Sequence, residues 1–374
     1  MELTSLPLVS ADSHVEEPSY LWTRHLPASM VKELPIALQQ GADTASTFAK
    51  RIGVGETEEV KGLTDAARLA GADDVEALCE LTADPDRRLA VMRQDDIAAE
   101  CIYPTSGLFV WSLDNPRVGE ACCRLYNEWV YDRLESRSPR FRCAGMIPTW
   151  NVEKAIAEVQ HIADMGLAAA LMPLVGKPEY NHRDWQPLWS AIEETGLPVV
   201  MHQGTGHDML FYRGPGAAVS NLVATQSMAP RTAVLLSTSS VLAAHPGLHF
   251  IFVETNASWL PWAMSTADFY HESFQEYDGW VWPDLPEKPS FYMTRQIHGT
   301  FQYDPFVVDS LSRTGVEPVL WGSDFPHAEG TFPHSRDSVT EQLAGVEIAS
   351  AAAIAGGTAA KLFRFDPEVL TKPF

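Results

Sequence analysis

Several short apolar segments of this sequence end abruptly at an acid or a histidine. The residues at these ends are Asp12 and His14, then His202, Glu254 and Asp324. A carboxylate at the end of a buried segment is costly unless something pairs with it. Imidazole nitrogens and carboxylate oxygens are ligands that zinc, iron, manganese and cobalt take from proteins. The pattern therefore predicts a metal site assembled from distant parts of the chain.

Other residues near these ends are further candidates. Glu17 lies one helical turn after His14 and could reach the same metal, and His327 follows Asp324 by three residues. His327 is predicted either to bind the metal or to orient one of its ligands. Glu254, Asp324 and His327 are also the residues that we predict to be catalytic, through proton transfer. The candidates for substrate contacts or an additional ligand are His182, His207, His271 and Trp259.

Short apolar segments alternate with helical patterns along most of the chain. Asp84 followed by Pro85 is a typical helix start, and Gly166 marks a helix end. Eight predicted strands alternate with such helices, the weakest of them near 291–297, and no hairpin signal separates them. Strands joined by helices are parallel, so we predict an α/β fold, a (β/α)8 TIM barrel. The carboxyl ends of its strands would bring the candidate ligands together at one mouth.

The predicted domain organisation is simple. Residues 1–374 are expected to form a single barrel domain. Residues 23–83 alternate poorly and are rich in Ala, Gly, Asp and Glu. Long irregular connections in compact domains are usually functional, so we predict that this segment is an insertion after the first strand and acts as a lid.

The composition of the chain indicates which kinds of molecule it can bind. The formal net charge is −22, which argues against nucleic acid because that partner needs a basic surface. No apolar run is long enough to span a bilayer, and no signal peptide is evident. The five cysteines form no C-x-x-C pair, which favours reduced thiols in the cytoplasm. We expect a cytoplasmic protein that acts on a small molecule, as a homodimer or a hetero-oligomer with a homologue.

A resemblance to a known family rests on four motifs. They are Asp12-x-His14, His202, Trp259-x-Pro261-Trp262 and Gly322-Ser323-Asp324-Phe325-Pro326-His327. Over residues 9–363 the chain resembles the amidohydrolase superfamily, in its amidohydrolase-related branch typified by aminocarboxymuconate-semialdehyde decarboxylase. The resemblance implies a (β/α)8 barrel, one divalent metal, commonly zinc or manganese, and non-oxidative decarboxylation or hydrolysis of C–C or C–N bonds. The implied ligands are Asp12, His14, His202 and Asp324.

The chain departs from that branch in two ways, and both add carboxylates. Glu254 stands where the branch carries a catalytic histidine on strand six, and Asp12 stands where its first motif begins with histidine. With Glu17 and His327 the chain offers seven candidate donors, whereas one zinc ion takes about four. The surplus favours two bridged divalent metal ions, with iron preferred and manganese or zinc as alternatives.

The sequence leaves three functions open. A small group of dinuclear iron oxygenases on this barrel is known and the sequence is compatible with it, so we favour O₂-dependent hydroxylation (a monooxygenase reaction) of a bulky apolar small molecule. Aromatic residues in predicted loops fit such a substrate: Phe109, Trp111, Trp259, Trp262, Trp280 and Trp282. The first alternative is a mononuclear decarboxylase or hydrolase of a small carboxylic acid. The second is a non-catalytic partner subunit of a homologous enzyme.

Overall fold

One parallel sheet forms the centre of the protein. The computed structural model describes residues 3–35, 38–39, 64–206, 211–277, 281 and 285–372. Eight strands pair in chain order, each parallel to the next. The strands are β1 (Leu8–Val15), β2 (Ile97–Pro104), β3 (Phe141–Met146), β4 (Ala169–Pro173), β5 (Val199–His202), β6 (Phe250–Val253), β7 (Ile297–Phe301) and β8 (Val319–Trp321).

The sheet closes between β1 and the segment that follows β8. The backbone amide of His14 donates to the carbonyl of Phe325, and that of Asp324 donates to the carbonyl of Asp12, both at 2.7 Å. Glycine at position 322 permits this approach, because a Cβ atom there would lie 2.4 Å from the Cβ of Asp12. The prediction of an α/β fold with a (β/α)8 TIM barrel is confirmed.

Helices surround the strands. They are α1 (Tyr20–Thr23), α2 (Ala28–Val31), α3 (Asp65–Leu69), α4 (Val75–Ala83), α5 (Pro85–Gln94), α6 (Pro116–Arg133), α7 (Val152–Met165), α8 (Gln186–Thr195), α9 (Ala217–Gln226), α10 (Met228–Thr238), α11 (Val241–Ala244), α12 (Leu260–Ser273), α13 (Pro289–Gln296), α14 (Val307–Thr314), α15 (Ser335–Gln342), α16 (Ile348–Ala352), α17 (Thr358–Leu362) and α18 (Pro367–Thr371). None of these helices is long and apolar enough to cross a membrane.

Local capping signals position several of these helices. The Asp84 side chain accepts hydrogen bonds from the amides of Asp86 and Arg87 at the start of α5. At the other end of a helix, Gly166 terminates α7 with a φ of 98°, a conformation that glycine adopts at little cost. Strands between such helices are buried on both faces, as parallel barrel strands are: every residue of β4, β5 and β6 is buried.

The prediction of a strand near 291–297 is wrong. This segment belongs to α13, and the seventh strand begins only at Ile297. Tyr292 and Gln296 are buried whereas Phe291 is exposed, which is the spacing of an amphipathic helix. The apolar residues of the segment therefore follow the helical period, and β7 was missed because histidine, glycine and threonine interrupt its apolar run.

The proposed insertion at 23–83 lies partly outside the described residues. Its described C-terminal part, which includes α3 and α4, packs beside the loop that follows β8. The Thr64 hydroxyl donates to the Pro326 carbonyl at 2.8 Å, and Ala66 shares a small apolar cluster with Phe325 and Phe332. These contacts bring the segment to the mouth of the barrel, and its role as a lid stays a prediction.

Candidate metal centre

The ends of four strands bring the predicted ligands to one mouth of the barrel. Asp12 and His14 lie two residues apart on β1 and therefore point to the same face, and His202 is the last residue of β5. Glu254 follows β6 directly and Asp324 follows β8. The φ angles of Glu254 and Asp324 are 60° and 56°, a region that costs a residue other than glycine about 1–3 kcal/mol and often marks functional sites.

The histidine and aspartate side chains converge closely. The Nε2 atom of His14 lies 3.4 Å from Oδ1 of Asp12 and 3.6 Å from Oδ1 of Asp324. His202 Nε2 lies 3.0 Å from His14 Nε2 and 3.8 Å from Asp12 Oδ1. The side chains of these four residues are almost completely buried. The structure thus brings together four of the predicted donors, two imidazoles and two carboxylates.

The two imidazoles present lone pairs to each other. His14 Nδ1 lies 3.0 Å from the Pro104 carbonyl and His202 Nδ1 lies 2.9 Å from the Gln203 carbonyl. A carbonyl oxygen only accepts hydrogen bonds, so both Nδ1 atoms carry a proton, and in the neutral ring the Nε2 atom is then unprotonated. Burial, with the nearby His327, lowers the pKa of His14 to about 3, which keeps this ring neutral. Two facing lone pairs repel each other unless a cation lies near both.

Carboxylate oxygens without partners complete this donor set. Asp12 Oδ1 and Asp324 Oδ2 are buried and accept no hydrogen bond within the described part of the chain. The other Asp12 oxygen, Oδ2, accepts from Gln302 Nε2 at 3.0 Å, which orients the carboxylate. Burial, with Asp12 nearby, raises the pKa of Asp324 to about 7 in spite of the opposing effect of His327. Two imidazole nitrogens and two carboxylate oxygens fit a divalent zinc or manganese ion.

Glu254 and His327 flank these four residues. Glu254 Oε2 lies 3.5 Å from His202 Nε2, and Oε1 accepts a hydrogen bond from Gln203 Nε2. His327 Nδ1 lies 2.8 Å from Asp324 Oδ1. A second possible donor group consists of Glu254, His327, Asp324 and His14. It shares His14 and Asp324 with the four residues above, and the single free nitrogen of His14 can bind only one ion.

Burial and neighbouring charges shift the pKa values of both flanking residues. Burial raises the pKa of Glu254 well above its usual range, and the neighbouring carboxyls of Asp324 and Asp12 add to this rise. Burial would lower the pKa of His327, but the charge and hydrogen bond of Asp324 raise it well above its usual range. The mouth therefore concentrates acidic groups whose repulsion a bound cation would relieve.

Comparison with known proteins agrees with the fold. The sequence model of the Amidohydrolase family matches residues 80–365. The chain belongs to the amidohydrolase family. The assignment made from the motifs is confirmed at this level, whereas the comparisons lend no support to the dinuclear iron oxygenase subgroup. Among the curated proteins, none matches the chain.

Solved structures share the barrel at low sequence identity. An amidohydrolase of Mycobacterium avium subsp. paratuberculosis K-10 is 18% identical, with a TM-score of 0.71 over 96% of this chain and 99% of its own. The 5-carboxyvanillate decarboxylase of Sphingomonas paucimobilis is 19% identical, with a TM-score of 0.68 over 97% and 100%. A dihydroxybenzoic acid decarboxylase of Polaromonas sp. JS666, solved with manganese and 2-nitroresorcinol, is 15% identical, with a TM-score of 0.68 over 98% and 100%. Such identities establish a common fold alone.

Glu17 of this amidohydrolase has a different environment from the other candidates. Its carboxylate is fully buried and accepts hydrogen bonds from the backbone amides of Thr105, Ser106 and Gly107 at 3.1, 2.9 and 2.9 Å. A Cβ atom at position 107 would lie 2.7 Å from Glu17 Oε1, so only glycine allows this approach. Glu17 therefore orders the loop after β2, and the structure does not bring it into either donor group.

Substitution of Glu17 tests this structural role. We expect Glu17→Gln to reduce the free energy of unfolding by about 2 kcal/mol, because the amide NH₂ group cannot accept and leaves a buried backbone N–H unpaired. Chemical denaturation of the metal-free protein measures this loss. Metal stoichiometry should not change. The control Glu80→Gln removes an exposed carboxylate that lies 3.6 Å from Arg87 and should have almost no effect; a halved metal content in Glu17→Gln would contradict the structural role.

The remaining candidates lie away from the donors or outside the described residues. His182 is half exposed in the loop after β4 and lies 3.3 Å from Asp184. His271 lines a cavity of about 580 Å³ between α10 and α12, on the outside of the barrel. Trp259 packs edge-on against Phe252. The predictions for His207, Trp280 and Trp282 concern positions outside the described ranges.

Three polar residues at the mouth escaped the sequence analysis. Gln302 orients Asp12, Gln203 holds Glu254, and the Thr300 hydroxyl accepts from the Glu254 amide at 2.8 Å. Each lies at or directly after the end of a strand. A neutral polar residue at the carboxyl end of a barrel strand is the signal that could have identified them. The sequence analysis considered mainly acids and histidines at these positions.

Proposed function

We propose that this amidohydrolase is a metal-dependent, non-oxidative decarboxylase of a small carboxylic acid. The observation that carries the proposal is the pair of unprotonated Nε2 atoms of His14 and His202, 3.0 Å apart beside the unpartnered oxygens of Asp12 and Asp324. Decarboxylases of aromatic acids among the structures of similar fold, one of them with manganese, give it further support.

One divalent ion accounts for this donor set better than two. The preference for two iron ions and O₂-dependent hydroxylation depended on a surplus of donors. Glu17 is committed to backbone amides, and the two donor groups share the one free nitrogen of His14. Asp12, His14 and His202 form one compact donor group, and Asp324, 3.6 Å from His14, adds a fourth donor. Four donors match the coordination number of one zinc ion, and manganese accepts the same nitrogen and oxygen ligands.

The protein residues have distinct roles in the proposed reaction. Asp12, His14, His202 and Asp324 would hold the ion, which supplies a Lewis acid that binds the substrate and stabilises its developing negative charge. Gln302 keeps Asp12 oriented toward the ion. As the C–C bond to the carboxylate breaks and CO₂ leaves, the electron pair stays on carbon. We assign Glu254, held by Gln203, to protonate that carbon, after which solvent returns the proton.

The proposal predicts CO₂ release without oxygen. Protein loaded with manganese or zinc should decarboxylate at least one member of a panel of small aromatic and aliphatic carboxylic acids under anaerobic conditions, with one metal ion per chain. Product analysis by chromatography and metal analysis by mass spectrometry provide the measurements. Glu254→Gln should retain the metal and lose at least about 100-fold in rate, as is typical for a lost general acid. Two iron ions per chain with turnover that consumes O₂ would contradict the proposal.

A further inference from the structure

The mouth of the barrel contains one buried acid that the proposed site does not use. An ion with two charges offsets Asp12 and Asp324, Glu254 is the proposed proton donor and Glu17 is bound by backbone amides, whereas Glu16 is buried nearby without an assigned role. In the described part of the chain no lysine or arginine forms an ion pair with Glu16, Glu17 or Glu254, and their only ionic partners are histidines. An arrangement of this kind disfavours a purely anionic ligand.

Glu16 is the least satisfied of these acids. It is 4% exposed, and its Oε2 atom accepts no hydrogen bond in the described ranges. Its Oε1 atom lies 4.0 Å from Nε2 of His327, which is beyond hydrogen-bond distance. The Glu16 amide donates to the hydroxyl of Thr82 at 3.0 Å, which fixes the backbone at the end of β1. The carboxyl is therefore held beside the candidate metal ligands with its Oε2 atom unpartnered.

Two hydroxyl groups on the neighbouring loop are also unpartnered. Thr105 Oγ1 and Ser106 Oγ are buried and make no hydrogen bond to the described residues. Thr105 lies beside Glu16, because the two residues directly follow Val15 and Pro104, which pair between β1 and β2. Because unpaired buried polar atoms are costly, these atoms point to a polar ligand group, and the Glu16 carboxylate, which only accepts, requires that this group donates hydrogen bonds.

We propose that Glu16 and Thr105 form a subsite for a protonated amine, so that the substrate is a carboxylic acid that also carries an ammonium group. This inference rests on the proposed function for the position of the substrate carboxylate at the metal. An ammonium group has three donors and no acceptor, which matches a carboxylate and a hydroxyl oxygen without partners. It also offsets one of the buried acids, and charge-assisted hydrogen bonds of this type are strong.

Binding of matched probes tests the subsite. The positional isomers of aminomethylbenzoate carry a carboxylate and an ammonium, and the corresponding methylbenzoates lack the ammonium. For protein loaded with one equivalent of manganese or zinc, calorimetry should show at least one aminomethyl isomer binding about tenfold more tightly than its methyl counterpart. Equal affinity within all three pairs would overturn the proposal. The experiment measures binding, so absence of decarboxylation would refute the proposed function without changing this result.

Substitutions test which residues cause the tighter binding of the aminomethyl isomer. Glu16→Gln should reduce this preference to about twofold or less and leave the affinity for methylbenzoate unchanged, and Thr105→Val should weaken it about threefold. Glu329→Gln is the matched control: it removes one exposed acid from the loop after β8 and should preserve the preference. If Glu16→Gln still bound the aminomethyl isomer about tenfold more tightly, the assignment of the amine subsite to Glu16 would be overturned. If Glu16→Gln does not fold, the same measurement on Thr105→Val decides. If the wild type bound a second equivalent of metal and Glu16→Gln lost it, Glu16 would be a ligand of a second metal ion and the amine subsite would be overturned.

Discussion

Replacement of His202 by alanine is expected to abolish tight metal binding and turnover. His202 supplies one of only two imidazole nitrogens in the donor set, and its Nε2 lies 3.0 Å from His14 Nε2. Loss of a group that merely orients a ligand already costs about 10–100-fold in metal affinity, so loss of the ligand itself should exceed about 100-fold. Metal titration followed by calorimetry measures the change.

The unfolding temperature of His202→Ala provides a second test of the metal site. Without metal, the facing lone pairs of His14 and His202 repel each other, so His202→Ala relieves repulsion while it loses packing. We expect the metal-free variant to unfold close to the temperature of the metal-free wild type. Bound metal should raise the unfolding temperature of the wild type alone, because a ligand that binds only the folded state stabilises it.

A histidine at the opposite end of the barrel serves as the control. His249 precedes β6, is partly buried, and its Nδ1 lies 3.1 Å from His298 Nε2. His249→Ala should therefore keep the metal content and the metal-dependent rise in unfolding temperature. If His202→Ala instead bound one equivalent of metal with wild-type affinity, the metal centre would have to lie elsewhere.

Replacement of Arg88 by methionine is expected to reduce the free energy of unfolding by about 3–5 kcal/mol, the usual cost of leaving a buried charge unpaired. Arg88 on α5 is completely buried, and its Nε atom lies 2.6 Å from Oε2 of Glu100. Its Nη1 atom donates to the carbonyls of His14 and Thr82 at 2.7 and 3.0 Å. The variant would leave Glu100 buried without a cation and would release the backbone of His14, a proposed metal ligand.

Denaturant unfolding of three variants isolates this effect. Arg87→Met changes the preceding residue, which is exposed and lies 3.6 Å from the exposed Glu80, and should cost less than about 1 kcal/mol. The double variant Arg88→Met, Glu100→Leu should recover part of the loss because no buried charge remains. A cost for Arg88→Met no larger than that for Arg87→Met would refute the structural role of the buried pair.

Local patterns along the sequence were sufficient for most of the fold. A strand period of two places Asp12 and His14 on one face, and the apolar run that ends at His202 is visible without any tertiary information. Capping residues such as Asp84 act within three residues of themselves, so their effect can be read locally. The wrong prediction of a strand at 291–297 also came from a local pattern, because a short apolar run fits either a strand or a buried helix face.

Tertiary structure decided what each polar residue does. Glu17 looked like a ligand, but amides almost ninety residues away at 105–107 surround its carboxylate. The unprotonated state of His14 Nε2 depends on the carbonyl of Pro104 on the neighbouring strand. The residue types at the strand ends thus determined that a metal site was feasible. Only the closed barrel decided which donors lie close together, because contacts between distant segments follow from strand pairing and loop packing rather than from local sequence.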